Sequence, residues 1–396
     1  MSSDDAVSRL PERAFRLVVT GGGTGGHTYP ALTAVRTLQA RLAAAGRALD
    51  VLWVGTAEGL EACVAAAEHI PFVTVATGKV RRSSNPLKLV SPANVRDMGR
   101  VPLGVAQART IVSDARPDVV LATGGYVAVP VGLAARMCRR PLVVHEQTVR
   151  LGLANRALAR AATSFAVSSE SSLQYLPDGA RATAVVTGNP VRPEVLSGHA
   201  DKAIEALDLR RFDRARPTVY VTGGAQGSQQ INRLVGESLP WLLAQANVIH
   251  QCGPAHEAGL REQAAALARD LTDRYAVMGF VGPELPDVLA LADVVISRSG
   301  AGTIAELTAL GKAAVLVPLA TSAGNEQEHN ARHLQDSGAA VALLGQASPD
   351  TLRDAVAPLL ADPARRADIA ARARSHGRPD AANRLVDVLL SAVGDQ

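Results

Sequence analysis

Aromatic residues are scarce in this chain, at 3% of its residues, so any core must be filled by aliphatic side chains, chiefly alanine, valine and leucine. Lysine occurs only at 79, 88, 202 and 312, and arginine carries nearly all the positive charge. Cysteine is limited to Cys63, Cys138 and Cys252, an odd number with no CxxC pair. That pattern points away from a disulfide framework or a zinc site and towards reduced thiols in a cytoplasmic protein. No apolar run approaches the roughly 18 residues that a membrane span needs. The longest, such as Ala313–Ala320, are strand-sized. The residues from Met1 to Ala14 are polar and lack the apolar centre of a signal peptide. A net charge of +4 is too small to argue for nucleic acid, and no nucleic-acid partner is expected.

What is present is a chain of 396 residues, 47% of them apolar, which suits two globular domains. Short apolar runs alternate with longer helical stretches. Phe15–Thr20 reads as a buried strand, followed by a glycine-rich loop and a helix from about Pro30 to Leu42. Val51–Val54, Asp118–Ala122 and Pro141–Val144 repeat the strand theme. Between Gly188 and Pro217 the pattern breaks, with Pro190, Pro193, Gly198 and a charged run from Asp208 to Arg216. It then restarts: strand Thr218–Thr222, turn Gly223–Gly227, helix Ser228–Leu243, strand Asp293–Ser297, turn Arg298–Gly302, helix Thr303–Leu310 and strand Ala313–Val317. Such repetition predicts an α/β fold of two Rossmann-like, doubly wound domains facing across a cleft. The expected boundaries are an N-terminal domain over 1–190, a linker over 191–216, a second domain over 217–365, and C-terminal helices over 366–396 that pack back on the N-terminal domain. In open parallel sheets ligands bind beyond the carboxyl ends of the strands, so the glycine loops should line the cleft.

The first loop, Gly21-Gly22-Gly23-Thr24-Gly25-Gly26, is so dense in glycine that backbone amides can approach a ligand, and the following helix favours phosphate with its positive end. A dinucleotide site is the rival reading, but no acidic residue ends the next strand to hold a ribose. His27 follows directly, at a loop–helix junction, with a ring suited to proton transfer or substrate contact. Thr123-Gly124-Gly125-Tyr126 is a second, weaker loop, and His145-Glu146-Gln147 ends the next strand with three polar residues. In the second half, Gly223-Gly224-Ala225-Gln226-Gly227-Ser228 again suits phosphate. In the stretch Ser297 to Glu306, small residues let a nucleotide lie against a helix N-terminus, and the Glu306 carboxylate can accept hydrogen bonds from both ribose hydroxyls. The alternative is a helix-dipole glutamate. Carboxamides in Asn325 to Asn330 could grip sugar hydroxyls or cap a helix. No Asp-x-Asp triplet occurs, so no metal site is expected. Helix N-termini, amides and an arginine, with Arg192 the candidate, must then neutralise a leaving diphosphate.

Taken in order, GGGTGGH at 21–27, TGGY at 123–126, HEQ at 145–147, GNPVR at 188–192, GGAQG at 223–227, RSGAGTIAE at 298–306 and EQEHNA at 326–331 resemble the peptidoglycan N-acetylglucosaminyltransferases. These act on undecaprenyl-diphospho-muramoyl-pentapeptide. The resemblance spans about residues 15 to 345. It implies an inverting enzyme of the GT-B type, with UDP-N-acetylglucosamine as donor and no required cofactor. It implies donor contacts at Thr24, Gly25, Gly26, Arg192, Ala225, Gln226, Val281, Ala301, Gly302, Thr303, Ile304, Ala305, Glu306 and Gln327, with Val281 meeting the uracil through its backbone. Gly22, Gly23, Tyr126, Thr148 and Asn155 fall on the acceptor side or cleft. His27 is the expected general base, with Glu146 the alternative. The chain departs from the family at Thr148-Val149, where Asn-Gly is usual, and at Ala225, where serine is usual.

Basic residues Lys79, Arg81, Arg82, Lys88, Arg96 and Arg100 are interleaved with Leu87, Leu89, Val90, Met98, Val101 and Leu103. That composition suits an anionic membrane surface, or else an inward-packing amphipathic helix with a solvated basic face. With the resemblance, it implies a peripheral protein on the cytoplasmic face of the plasma membrane. Its partners would then be a UDP-sugar, a polyprenyl-diphosphate-linked glycopeptide and the anionic bilayer. Three rival readings are a UDP-N-acetylglucosamine 2-epimerase, a glycosyltransferase that modifies diacylglycerol, and a non-catalytic nucleotide-sugar-binding subunit.

Overall fold

The computed structural model describes residues 13–78 and 92–394. The chain divides into two compact units, Met1–Pro190 with Asp380–Gln396, and Val191–Pro379.

Unit 1 holds seven strands: β1 Phe15–Thr20, β2 Leu49–Gly55, β3 Phe72–Thr74, β4 Val119–Ala122, β5 Leu142–Glu146, β6 Ser164–Val167 and β7 Ala184–Val186. They lie in the order β3-β2-β1-β4-β5-β6-β7, all parallel. Strand residues alternate between two apolar layers. Leu17, Val19 and Leu121 face one and Val18, Val120 and Val144 the other, so the sheet is buried on both sides. Helices that bear on the site are α1 Gly25–Ala44, α2 Leu60–Ala67, α3 Pro92–Ala115, α4 Ala128–Met137 and α5 Leu153–Leu158.

Unit 2 repeats the plan with β8 Thr218–Thr222, β9 Asn247–Gln251, β10 Tyr275–Met278, β11 Val294–Ser297, β12 Ala313–Leu316 and β13 Val341–Ala342, in the parallel order β10-β9-β8-β11-β12-β13. Its relevant helices are α6 Ala200–Ala206, α7 Gln229–Gln245, α8 Leu285–Leu291, α9 Ala301–Leu310, α10 Glu326–Asp336 and α11 Pro363–His376.

Several expected boundaries move. Helix α1 starts at Gly25 rather than Pro30, because the Thr24 carbonyl already accepts from the amides of His27 and Thr28. Thus His27 belongs to the first turn of a helix. Strand β5 runs on to Glu146, so His145 and Glu146 are strand residues. The stretch 191–216, expected as a linker, is folded into unit 2. Val191, Val195, Ala203 and Leu209 are buried in its core, and Gly198 lies against the backbone of Pro286. Its prolines open a short 3-10 turn, Pro193–Ser197, rather than breaking the chain. Its charges are solvated or paired, as Arg211 is with Asp273 at 2.9 Å. The C-terminal segment divides at 380, not at 366. Helix α11 packs on α9 in unit 2, whereas α12, Ala381–Gly394, buries Leu385, Val386 and Leu389 against Phe15, Leu17 and Trp53 of unit 1.

Each sheet also buries a histidine, His145 in β5 and His250 in β9. His250 sits between the Tyr275 hydroxyl at 2.9 Å and Asn232 Oδ1 at 3.1 Å. Burial disfavours the charged ring and draws both side chains down to about 4, from an ordinary 6.5. The unfolded chain therefore takes up these protons near 6.5, while the folded chain resists until about 4. Stability is full above the upper value and is lost as pH falls towards the lower, by about 3 kcal/mol per site at the limit. Urea midpoints measured across this window should fall with acidification. A flat profile would show that neither histidine is held neutral.

Candidate active site

In unit 1 the loops after β1 and β4 press on each other. The Gly22 amide donates to the Gly124 carbonyl at 3.3 Å. Gly125, at φ +82°, has no room for a side chain, since a Cβ there would overlap the carbonyl of Gly22. Thr123 Oγ1 ties the second loop to α1 by donating to the His27 carbonyl at 2.9 Å.

The amide of Gly23 does not point to open space. It donates to Glu61 Oε2 at 2.9 Å, while Glu61 Oε1 accepts from the Thr56 amide at 3.0 Å and the Thr56 hydroxyl at 2.7 Å. Burial pushes this carboxyl up, yet the bonds from Gly23 and Thr56 outweigh it and hold the group below its ordinary value. Gly22 and Gly23, expected on the acceptor side, thus have their amides bonded within the protein. Thr24, Gly25 and Gly26 cap and begin α1, where the first amides have no acceptor inside the helix. An anion at this loop would meet those first-turn amides rather than the Gly22–Gly23 turn.

The β5 end carries two hydrogen-bond systems that meet at the His145 carbonyl. Glu146, buried, receives four bonds. Oε1 takes the Thr148 amide at 3.1 Å and hydroxyl at 2.7 Å, and Oε2 takes the Gly152 amide at 2.9 Å and Asn155 Nδ2 at 3.0 Å. Glu146 thus clamps the loop leading to α5 through both oxygens, with the single Thr148 hydroxyl hydrogen shared between Oε1 and the Arg150 carbonyl at 2.6 Å. Asn155 turns its amide nitrogen inward, to Glu146 and to the His145 carbonyl at 3.1 Å. Its Oδ1 is buried with no partner among the described residues. Thr148, in place of the family asparagine, serves the same clamp. Tyr126 is exposed on the neighbouring loop.

The second system links three side chains. His27 Nδ1 lies 3.0 Å from Gln147 Oε1, Gln147 Nε2 lies 2.9 Å from His145 Nδ1, and His145 Nε2 lies 3.0 Å from the Gly188 carbonyl. Half-buried His27 therefore sits at the outer end of a chain rooted in the sheet.

In unit 2 the loop after β8, the end of β11 and the start of α10 enclose a cavity of about 480 Å³, with Gly224, Ser228, Arg298, Gly300, Thr303 and Gln327 among its walls. Ser228 caps α7 by accepting from the Ile231 amide at 3.3 Å. Arg298 spans the cavity floor, donating to Ser228 Oγ at 2.7 Å, Gln230 Oε1 at 2.8 Å and the carbonyls of Val317 and Pro318, each at 3.0 Å. Gln327 Oε1 accepts from the Leu319 amide at 3.0 Å. Ala301, Gly302, Thr303, Ile304 and Ala305 form the first turns of α9, and Glu306 follows on the same helix. Arg192 Nη2 reaches Glu306 Oε1 at 3.1 Å. Burial raises the Glu306 pKa, against the lowering pull of Arg192. Ala225 and Gln226 lie on the exposed crest of their loop, outside the cavity walls. The amide of buried Val281 donates to Gln251 Oε1 at 2.9 Å.

Two further residues shape these sites without a sequence signal strong enough to mark them: Glu61 is a lone acid in an apolar helix, and Gln251 ends a strand. Gln147 and Arg298 lie in stretches that the sequence marked, but with no role assigned to either side chain. Of the membrane-patch residues, Lys79, Arg81, Arg82 and Lys88 lie outside the described residues. Arg96 falls within α3, and Arg100 is exposed on that helix. Among the described residues no helix is long and apolar enough to cross a membrane.

Glu61→Ala removes the acceptor of three part-buried hydrogen bonds from Gly23 and Thr56, each worth about 0.5–1.5 kcal/mol. Chemical denaturation should show a loss of about 2–5 kcal/mol, and Glu61→Gln, which keeps one acceptor, a smaller one. Equal stability of Glu61→Ala and the parent protein would remove Glu61 as the brace of the loop.

Comparison with known proteins extends the picture. Residues 17–167 match the glycosyltransferase family 28 N-terminal domain, and residues 218–385 match the C-terminal domain of the same family. The chain is 35% identical over 95% of its length, and 99% of the other protein, to a UDP-N-acetylglucosamine–N-acetylmuramyl-(pentapeptide) pyrophosphoryl-undecaprenol N-acetylglucosamine transferase of Listeria monocytogenes. A protein of the same name from Desulforamulus reducens is 33% identical over 94% of this chain and 97% of its own. The crystal structure of Acinetobacter baumannii MurG superposes with a TM-score of 0.74 at 26% identity, covering 95% of this chain and 99% of that one. A protein named as a putative UDP-N-acetylglucosamine 2-epimerase from Listeria monocytogenes shares the fold, with a TM-score of 0.64 at 17% identity over 97% of this chain and 98% of its own.

Proposed function

This chain belongs to glycosyltransferase family 28, and on that premise we propose that it transfers N-acetylglucosamine from UDP-N-acetylglucosamine to the C4 hydroxyl of the muramoyl sugar in undecaprenyl-diphospho-muramoyl-pentapeptide. The products are the disaccharide-linked lipid and UDP. The observation that carries this reading is the near-complete alignment, at 35% identity over 95% of the chain, with a relative named for that transfer. The 2-epimerase likeness extends to the fold alone, and no observation favours a diacylglycerol acceptor.

The reaction is a single displacement. The acceptor C4 oxygen forms a bond to the anomeric carbon as the bond from that carbon to the diphosphate breaks, inverting α to β. The electron pair leaves on UDP, and the hydroxyl proton passes to a base. His27 is that base: its Nδ1 is engaged by Gln147, and Nε2 is the nitrogen left to accept. Glu146, bonded through both oxygens to the loop before α5, is set aside. Charge growing on the diphosphate is met by the amino end of α9 and by Arg192, and Glu306 accepts from the ribose hydroxyls. In the structure Arg192 and Glu306 pair with each other, so a nucleotide would exchange that ion pair for contacts of both with ligand. Thr303 and Gln327, on the walls of the unit 2 cavity, would face the sugar–diphosphate portion.

Incubation with radiolabelled UDP-N-acetylglucosamine and bacterial lipid extract tests this directly. Label should enter a polyprenyl-diphosphate disaccharide-pentapeptide. Label confined to an isomerised UDP-sugar would make the protein an epimerase instead. Glu306→Ala should weaken UDP by roughly 1.5–3 kcal/mol, the value of a charged hydrogen bond, and reduce discrimination against 2′-deoxy-UDP. Unchanged affinity and discrimination would confine Glu306 to its pairing with Arg192.

The acceptor's lipid requires a peripheral site on the cytoplasmic face of the plasma membrane, and the basic, apolar segment containing Lys79, Arg81, Arg82, Lys88, Arg96 and Arg100 suits it. Exposed Arg100 and Leu103 on α3 continue that character into the described residues. Reversing charge at Arg81, Arg82 and Lys88 should reduce binding to anionic vesicles, at about 1 kcal/mol per residue close to the surface. Equal sedimentation of variant and parent protein with those vesicles would remove this segment from the contact.

A further inference from the structure

We propose that Gln147 and His145 are positioning residues that hold His27 in the one tautomer able to accept a proton at Nε2. The inference rests on the reading of His27 as the base.

The chain of bonds starts at a group with only one possible role. The Gly188 carbonyl can only accept, and it lies 3.0 Å from His145 Nε2, so that nitrogen carries hydrogen. His145 is wholly buried in β5 and neutral, drawn down by that burial to about 4. A neutral ring has one hydrogen, so His145 Nδ1 presents a lone pair. Gln147 Nε2 donates to it at 2.9 Å and gives its other hydrogen to the His145 carbonyl, also at 2.9 Å. With both amide hydrogens engaged, the orientation of Gln147 is fixed and its Oε1 faces His27 Nδ1 at 3.0 Å. Oε1 only accepts, so Nδ1 donates and the remaining nitrogen of a neutral His27, Nε2, is bare.

This arrangement matters because a neutral histidine side chain left to itself favours hydrogen on Nε2, the nitrogen a base of this geometry needs free. Three features make the control rigid. Gln147 follows directly on the end of β5, and its amide is held to both the ring and the carbonyl of His145 two residues before it. Both are buried, which strengthens their bonds. The His27 ring is seated over Gly124, where a Cβ would come within 3.0 Å of its Cε1. The base is thus prepared by hydrogen bonds traced to one backbone carbonyl, with no carboxylate in the chain.

Two-bond proton–nitrogen correlation spectra of the full-length protein with labelled histidine read the tautomers directly at neutral pH. The parent protein should show hydrogen on Nδ1 of His27 and on Nε2 of His145. Gln147→Leu should move the His27 hydrogen to Nε2 and lower kcat by roughly 100-fold or more, the lower end of what a general base contributes, with the KM for UDP-N-acetylglucosamine unchanged. Gln147→Glu keeps an acceptor towards His27 but gives up both donors to His145, so it should keep the hydrogen on His27 Nδ1 and recover only part of the lost kcat, which a general packing defect would not do. Hydrogen on Nε2 of His27 in the parent protein overturns the relay whatever His27→Ala does. Parent-level kcat in Gln147→Leu overturns the positioning role, as does an equal loss of kcat in Gln147→Glu and Gln147→Leu. Parent-level kcat in His27→Ala overturns the base reading itself, and the role of the relay with it.

Discussion

The contact on which unit 1 depends is the closure of two glycine loops upon each other at the carboxyl ends of β1 and β4. Gly22 donates to Gly124 across the gap, and Gly125 is so close to the Gly22 carbonyl that no other residue fits. Backbone packed this tightly leaves its amides in need of internal partners. Glu61 supplies one, at Gly23, and the Thr123 hydroxyl ties the same region to the first turn of α1. His27 takes its place because the loop beneath it is closed in this way.

A buried acid bracing a loop recurs in Glu146, whose four bonds shape the turn into α5. Both carboxylates sit where a reader looking for catalytic acids would look, and both are occupied in holding backbone. In unit 2 the corresponding brace is a cation. Arg298 joins the cap of α7 to the end of β12 and floors the cavity, and a positive floor suits a diphosphate as a negative one would not. The loop beneath His27 and the cavity of unit 2 are therefore braced by side chains of opposite charge.

Much of this was legible in the sequence because it depends on local patterning. Continuous runs such as Thr218–Thr222 can only be strands buried on both faces, and the glycine-rich stretches after β1 and β8 mark sharp strand-to-helix turns. Pro30 misled the reading of α1, because a proline in the second turn resembles a helix start, whereas the Thr24 carbonyl opens that helix five residues earlier. The prolines and charges of 191–216 resembled a linker because Val191, Val195 and Ala203 are too widely spaced to show that they are buried. Ala225 and Gln226, equated with donor contacts by motif position, stand on the crest of their loop.

The sequence by itself determined the doubly wound, parallel character of both halves, seven of the thirteen described strands and the family motifs, since hydrophobic periodicity and glycine placement act within a few residues. Tertiary structure alone decided which polar group answers which. Glu61 meets Gly23 across 38 positions, Gln147 meets His27 across 120, and Arg192 meets Glu306 across 114. Hydrogen bonding is directional and short-ranged, so the direction of a proton on His27, or the occupation of both oxygens of Glu146, follows only when the folded chain has brought distant residues within about 3 Å.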